Sequence, residues 1–173
     1  MSTQEPDEAA GPLTKDGVLA LLDAHGFDYT VFEHPPIRTV AEGDTLEIPF
    51  AEDMTKNLFL RDSKKRNYYI VTLPDHKQVS LKDVQTALGS TRLSFASEAD
   101  LRDKIGLWPG AVTPLGALND GTCTVEVAID KEFAERGFIG VHPCDNSASV
   151  RLHTDDLIKL LREHGSPVRL LAL

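Results

Sequence analysis

TKNLFLRDSKKRNYYIVTL, residues Thr55 to Leu73, is the stretch whose reading decides the fold. Asn57-Leu58-Phe59-Leu60 and Tyr68-Tyr69-Ile70-Val71-Thr72-Leu73 are rich in the aromatic and β-branched side chains that suit strands. Between them, Arg61 to Asn67 is a short charged turn. The stretch therefore predicts a β-hairpin with an apolar body and a basic tip.

Working outward, Ser80 opens a helix through Leu88 that ends at Gly89, a serine start and a glycine stop. Ser97 with Asp100 has the capping-box spacing and opens another helix, closed near Gly106. Leu115 to Leu118, the turn Asn119-Asp120-Gly121 and Thr122 to Ile129 predict a second hairpin. Cys123 then falls in an alternating strand and reads as a small buried apolar residue. Phe138 to Val141 and Ser149 to Leu152 are short strands around His142-Pro143. Thr154 caps an amphipathic helix ending at Gly165, and Val168 to Leu171 is a last strand.

Upstream of the hairpin, Thr14 caps a first helix with Val18, Leu19, Leu21 and Leu22 on its apolar face and Gly26 at its end. Asp28 to Glu33 alternates as a strand until His34-Pro35-Pro36 stops it. Thr39 starts a short helix, and the acidic stretch Glu42 to Asp53 is expected to be a mobile loop. Strands and helices intermix without a regular βαβ alternation or a glycine-rich phosphate loop. That predicts a single α+β domain, residues 13–173, with a mixed, curved, partly barrel-like sheet flanked by helices. Residues 1–12 are polar and acidic and read as a disordered lead-in.

The chain has 173 residues, 41% of them hydrophobic and 26% charged, enough for a core without a disulfide or a metal. No run approaches the ~18 apolar residues of a membrane span, and residues 1–12 lack the apolar run of a secretory signal. Cys123 and Cys144 match no metal or redox spacing, so no cofactor is expected and a reduced cytoplasm is favoured, with a bridge between them left open. The net charge of −9 opposes broad nucleic-acid binding, which needs cations. Yet Lys56, Arg61, Lys64, Lys65 and Arg66 cluster around a single acid, Asp62. An acidic body with one basic tip suits a brief, local contact with the end of a nucleic acid, not tight binding along a duplex.

Three places hold residues that chemistry could use. Thr55-Lys56-Asn57 puts a lysine and an asparagine at the mouth of an apolar strand. There Lys56 is either a point charge for a phosphate or carbonyl, or a solvated strand-end cation. Gly110-Ala111-Val112-Thr113-Pro114 either presents amide N–H groups to an oxyanion or simply connects two elements. In His142-Pro143-Cys144-Asp145-Asn146 the histidine is either an acid–base group or a satisfied turn residue. The sequence carries no Gly-x-Ser-x-Gly, His-x-x-x-His or Cys-x-x-Cys, so serine hydrolases, zinc enzymes and redox proteins lack support.

Taken together and in this order, the segments resemble a known family. Thr55 to Asp62 followed by Tyr68 to Val71 resembles the lysine strand of the YbaK/prolyl-tRNA-synthetase-associated editing domains. Arg92 to Ser97 matches the next segment of the family's ProX branch, Gly110 to Gly116 its Gly-x-x-x-Pro loop, and Val141-His142-Pro143-x-x-Asn146 its late segment. The resemblance runs from about Thr14 to the C-terminus. It implies a hydrolase that deacylates mischarged aminoacyl-tRNA in trans, alanine from tRNA(Pro) for this branch, through water attack helped by the terminal adenosine's hydroxyl. Cysteine- or serine-specific deacylation, or a non-catalytic tRNA- or synthetase-binding module, are the alternatives.

On that resemblance Lys56 and the backbone of Gly110, Ala111 and Val112 would be catalytic, Lys56 fixing the terminal nucleotide and the amides holding the carbonyl. Asn57, Thr113, Pro114, His142 and Asn146 would line the substrate pocket, and Arg61, Lys64, Lys65 and Arg66 would contact tRNA. The implied partners are the aminoacylated acceptor end and prolyl-tRNA synthetase, with no membrane and a monomeric or weakly dimeric state.

Overall fold

The computed structural model describes residues 11–37, 41–42 and 45–173. The expected helix at Thr39, and most of the acidic lead-in, lie outside them. The hairpin forms as expected: β2 (Thr55–Asp62) pairs antiparallel with β3 (Tyr68–Pro74), Lys56 opposite Leu73 and Phe59 opposite Ile70. It follows α1 (Lys15–Ala24) and β1 (Tyr29–Glu33) and leads into α2 (Leu81–Leu88), β4 (Leu93–Phe95) and α3 (Glu98–Ile105). Ser80 and Ser97 each make the full capping box, and Gly89 and Gly106 end their helices in the left-handed region. After these come β5 (Glu126–Asp130), α4 (Lys131–Arg136), β6 (Phe138–Val141), β7 (Ala148–His153), α5 (Thr154–His164) and β8 (Val168–Leu171).

The strands make two sheets rather than a barrel. One has the order β4-β2-β3-β5-β8, the other β1-β7-β6. The partly barrel-like expectation is thus corrected: among the described residues, one parallel bridge between Met54 and Gly140 is the only strand pairing that links the sheets.

The second predicted hairpin does not form either. Thr113 caps a 3-10 helix over Pro114–Asn119, where proline at the first position favours a helical start. β5 instead pairs parallel with β3 and with β8. Cys123 lies ahead of β5 with φ +54° and is half-buried, whereas Cys144 is the buried cysteine. Both thiols are free, and burial pushes Cys144 up to about 12. At α5 the cap is His153; Thr154 is the first helical residue and its Oγ1 donates to the Phe133 carbonyl at 2.8 Å. In the acidic stretch, Ala51–Asp53 is a short 3-10 turn anchored by buried Asp53, which accepts from Arg151 Nε at 2.7 Å.

Side chains alternate along β2. Phe59 joins a large cluster shared by both sheets, with Ile70, Val127, Ile139, Val150 and Leu161. Leu60 faces the other way, into a smaller cluster with Val71, Leu73, Val84 and Leu88 under α2. Position parity decides which polar residue of the strand meets which face.

Candidate active site

The seam between the sheets sets the geometry. Because Met54 and Gly140 pair in parallel, both chains leave the bridge in the same direction. Lys56 comes two residues after one partner, and His142 two residues after the other. The approach requires a glycine: a Cβ at Gly140 would lie 2.6 Å from Met54 Sδ and 3.1 Å from the Asp53 carbonyl oxygen. Thr55 Oγ1 donates to the Gly140 carbonyl at 2.9 Å. Asn57 Nδ2 donates to Thr55 Oγ1 at 3.2 Å, and Asn57 Oδ1 accepts from Thr72 Oγ1 at 2.8 Å. Most of Asn57's bonding capacity therefore goes to the seam, with one N–H left over.

Lys56 alternates to the face of Leu58 and Leu60, opposite Leu73. It is half-buried, like Lys15, Arg61, Lys77, Lys104, Arg151 and Arg169. Each of those six has a partner: Glu33, Asp100, Asp130, the Tyr68 ring, Asp53 and Glu126 respectively. Among the described residues Lys56 is the half-buried cation with no carboxylate, carbonyl or ring to satisfy it. A charge partly withdrawn from water and left unpaired is available to an incoming anion.

The loop after α3 is a rigid carrier of backbone donors. Ala111 N–H bonds the Trp108 carbonyl at 3.0 Å, closing a turn with Pro109 second and Gly110 third. Gly110 has φ +89°, as a type II turn demands at that place. Ala111's N–H is thus spent within the turn and cannot serve an oxyanion, which corrects one of the three expected donors. Among the described residues, the N–H groups of Gly110, Val112 and Thr113 meet no acceptor. Thr113 and Pro114 are buried, Thr113 Oγ1 accepting from Leu115 N at 3.4 Å. Leu115 and Val112 pack on the same large cluster as Phe59, Val141 and Cys144. That cluster draws the three segments to one core, but Lys56 itself alternates to the face of the smaller cluster and no hydrogen bond joins the loop to Lys56 or His142.

His142 Nδ1 lies 3.2 Å from the Ala148 carbonyl, so it carries the proton and leaves the Nε2 lone pair free. Burial holds the imidazole below its ordinary value, and neighbouring His34 adds to the effect. The His34 ring stands edge-on with centroids 6.5 Å apart. His34 is itself buried and bonded to Ser149 Oγ at 3.0 Å, a neighbour whose sequence reads only as a strand terminator. Asn146 is largely structural: its Nδ2 donates to the Ile37 carbonyl at 3.1 Å and its own carbonyl accepts from Ile37 N.

Comparison with known proteins reads the same segments together. A family model described as the aminoacyl-tRNA editing domain matches residues 34–160. The chain belongs to the aminoacyl-tRNA editing domain family. It is 42% identical over 159 residues to the prolyl-tRNA editing protein ProX of Acetoanaerobium sticklandii, covering 92% of this chain and 97% of that protein. It is also 35% identical over 144 residues to the prolyl-tRNA synthetase associated domain-containing protein 1 of Bos taurus, covering 78% of this chain and 81% of that one. A solved structure described as the hypothetical protein APE2540 superposes with a TM-score of 0.67 at 19% identity, covering 91% of this chain and 99% of that one. At that identity the likeness shows the fold.

On this editing domain the basic tip is only partly free. Arg61 Nη1 bonds Asp100 Oδ2 at 2.6 Å, so one of the four expected tRNA-contact cations is spent internally. Lys64, Lys65 and Arg66 are exposed and unpaired. Asp62 shapes the turn that presents them, accepting from Arg66 N at 2.8 Å and Asn67 Nδ2 at 2.7 Å. The Arg66 N–H is the main reason its carboxyl stays below the usual carboxylate range.

A cleft of about 640 Å³ between α1, α3 and α5 contains none of these residues. Its polar groups are largely satisfied internally: His25 Nε2 by Glu163, His164 Nε2 by the Asp120 carbonyl, and Asn119 by Leu13 N and the Ile105 carbonyl. It is therefore set aside as the editing site. Among the described residues no three His, Cys, Asp or Glu side chains gather as metal ligands would, and no helix is long and apolar enough to cross a membrane.

Proposed function

We propose that the chain deacylates mischarged tRNA(Pro) in trans, with alanine the amino acid removed. The observation that carries the reading is Lys56, the half-buried cation kept without a partner while five comparable cations face carboxylates and a sixth lies over a ring. Family membership and the near-complete overlap with ProX support it.

An aminoacyl ester is already activated, so no strong protein nucleophile is required. Water adds to the ester carbonyl, and the oxyanion that forms is held by the free N–H groups of Gly110 and Val112. The bond from the carbonyl carbon to the ribose oxygen then breaks. The ribose oxygen takes a proton, and the amino acid leaves as its acid. Lys56 pairs with a phosphate or hydroxyl of the terminal nucleotide and fixes the ester for attack. The half-buried His142, its Nδ1 turned to the Ala148 carbonyl, offers Nε2 as an acceptor at the pocket wall.

Size alone discriminates weakly, since a methylene is worth about 1–3 kcal/mol in a pocket. Contacts of Lys64, Lys65 and Arg66 with the tRNA supply the rest. This reading places the protein in the cytoplasm as a monomer or weak homodimer, with prolyl-tRNA synthetase its candidate partner.

The test is a deacylation time course on tRNAs carrying alanine, cysteine, serine and proline, with Lys56→Ala as control. Release of alanine from tRNA(Pro), lost in the variant, supports the reading. Preference for cysteine or serine would move the specificity, and absence of turnover on every substrate would leave a binding module.

A further inference from the structure

Trp108 opens the donor loop and closes its turn through the main-chain carbonyl, which leaves the indole uncommitted. It is the sole tryptophan of the chain and is 48% exposed, while Leu107 before it and Ala111 after it are buried at 3% and 0%. Its backbone is pinned on both sides. Gly106 N bonds the Arg102 carbonyl at 3.1 Å and Leu107 N bonds the Leu101 carbonyl at 3.3 Å, locking the exit of α3. The Trp108 carbonyl then closes the Gly110 turn by accepting from Ala111. A large ring is thus presented to water from a fixed frame, two residues from the first free amide donor. Two residues of chain span at most about 7 Å.

We infer that the Trp108 indole is a stacking platform for an unpaired nucleobase of the single-stranded acceptor end, placing the ester over the Gly110 and Val112 donors. This rests on the deacylase reading of the loop. A planar ring with two side-chain torsions on a pinned backbone loses little entropy on stacking, and every base offers it a π-face without sequence demands. Arg102 in the last turn of α3 is exposed and forms no ion pair among the described residues, while Lys104 is held over the Tyr68 ring. A nucleobase is the occupant because, on the deacylase reading, the substrate brought to this loop ends in unpaired bases.

Because the chain has one tryptophan, intrinsic fluorescence reads this side chain alone. The probes are a short single-stranded RNA with an acceptor-end sequence and the same strand with its terminal bases removed. Binding of each to the intact protein is measured independently by filter retention. Saturable quenching by the first and much weaker quenching by the abasic strand support the proposal. Unchanged emission while the intact RNA is bound overturns it, as does equal quenching by both strands.

In deacylation assays Trp108→Ala raises KM for the charged tRNA by about 5- to 150-fold with kcat within twofold, and Trp108→Phe restores most of the loss. An unchanged KM in a folded Trp108→Ala protein overturns the proposal. If the chain deacylates nothing, the fluorescence comparison still decides the role of Trp108, so the two failures are distinguishable.

Discussion

Thr55 donates its hydroxyl to the carbonyl of Gly140 across 2.9 Å, which ties the strand carrying Lys56 to the strand that ends at His142. The same oxygen accepts from Asn57, so one hydroxyl serves two partners. Thr55→Val keeps the shape and strands both. The expected loss is about 1–3 kcal/mol in urea unfolding, with Thr55→Ser close to the parent. A valine variant as stable as the parent would show that the bond does not hold the seam.

Lys56 and Lys77 are both half-buried and have opposite roles. Lys77 bonds buried Asp130 at 2.8 Å and the Leu173 carbonyl at 2.9 Å. Lys77→Ala leaves a buried carboxylate unpaired and should cost about 1–3 kcal/mol. Lys56→Ala breaks no bond and should change stability by less than about 0.5 kcal/mol while abolishing turnover. Parallel melting curves and deacylation rates check the contrast.

His142 supplies a pH dependence of known sign. Its folded value lies below the ordinary imidazole value of about 6.5 because burial disfavours the charged ring. Folding is therefore helped above the unfolded value, and that help is lost as pH falls through the folded value. Between pH 7 and pH 5 the parent should lose more stability than His142→Gln, read from denaturant midpoints at each pH.

Salt separates the cations of the hairpin tip. Each phosphate contact contributes about 0.7–0.9 to the slope of log affinity against log salt. Replacing Lys64, Lys65 and Arg66 together by alanine should flatten the slope by about 2–3. Arg61→Ala should leave the slope alone and lose about 1 kcal/mol of stability with its Asp100 bond.

Local chemistry was legible where it governs. The serine caps at Ser80 and Ser97, the glycine stops and the alternation of Tyr68 to Leu73 each act within a few residues, and the elements formed accordingly. The failure over residues 115–129 has a physical cause. Asn119-Asp120-Gly121 looks like a hairpin turn, but the Asp120 carboxylate gathers the N–H groups of Thr122, Thr124 and Val125 instead. β5 then pairs in parallel with β3, more than fifty residues away, a choice that burial on both sides dictates and no local motif announces.

The candidate site divides the same way. Lys56 and the Gly110 turn stand out as residue types, whereas Ala111's spent N–H, Arg61's diversion to Asp100 and the His34 ring beside His142 depend on partners distant in the chain.

The single Met54–Gly140 bridge carries a mechanical consequence. Within each sheet, relative movement of strands breaks a ladder of directional bonds. Between the sheets it breaks that bridge, the Thr55 hydroxyl contact and the Arg151–Asp53 pair beside them, while the packing of Phe59, Ile70, Ile139 and Val150 is not directional. The sheets are thus fastened at one short seam, and shear between them meets fewer directional bonds than shear within either sheet.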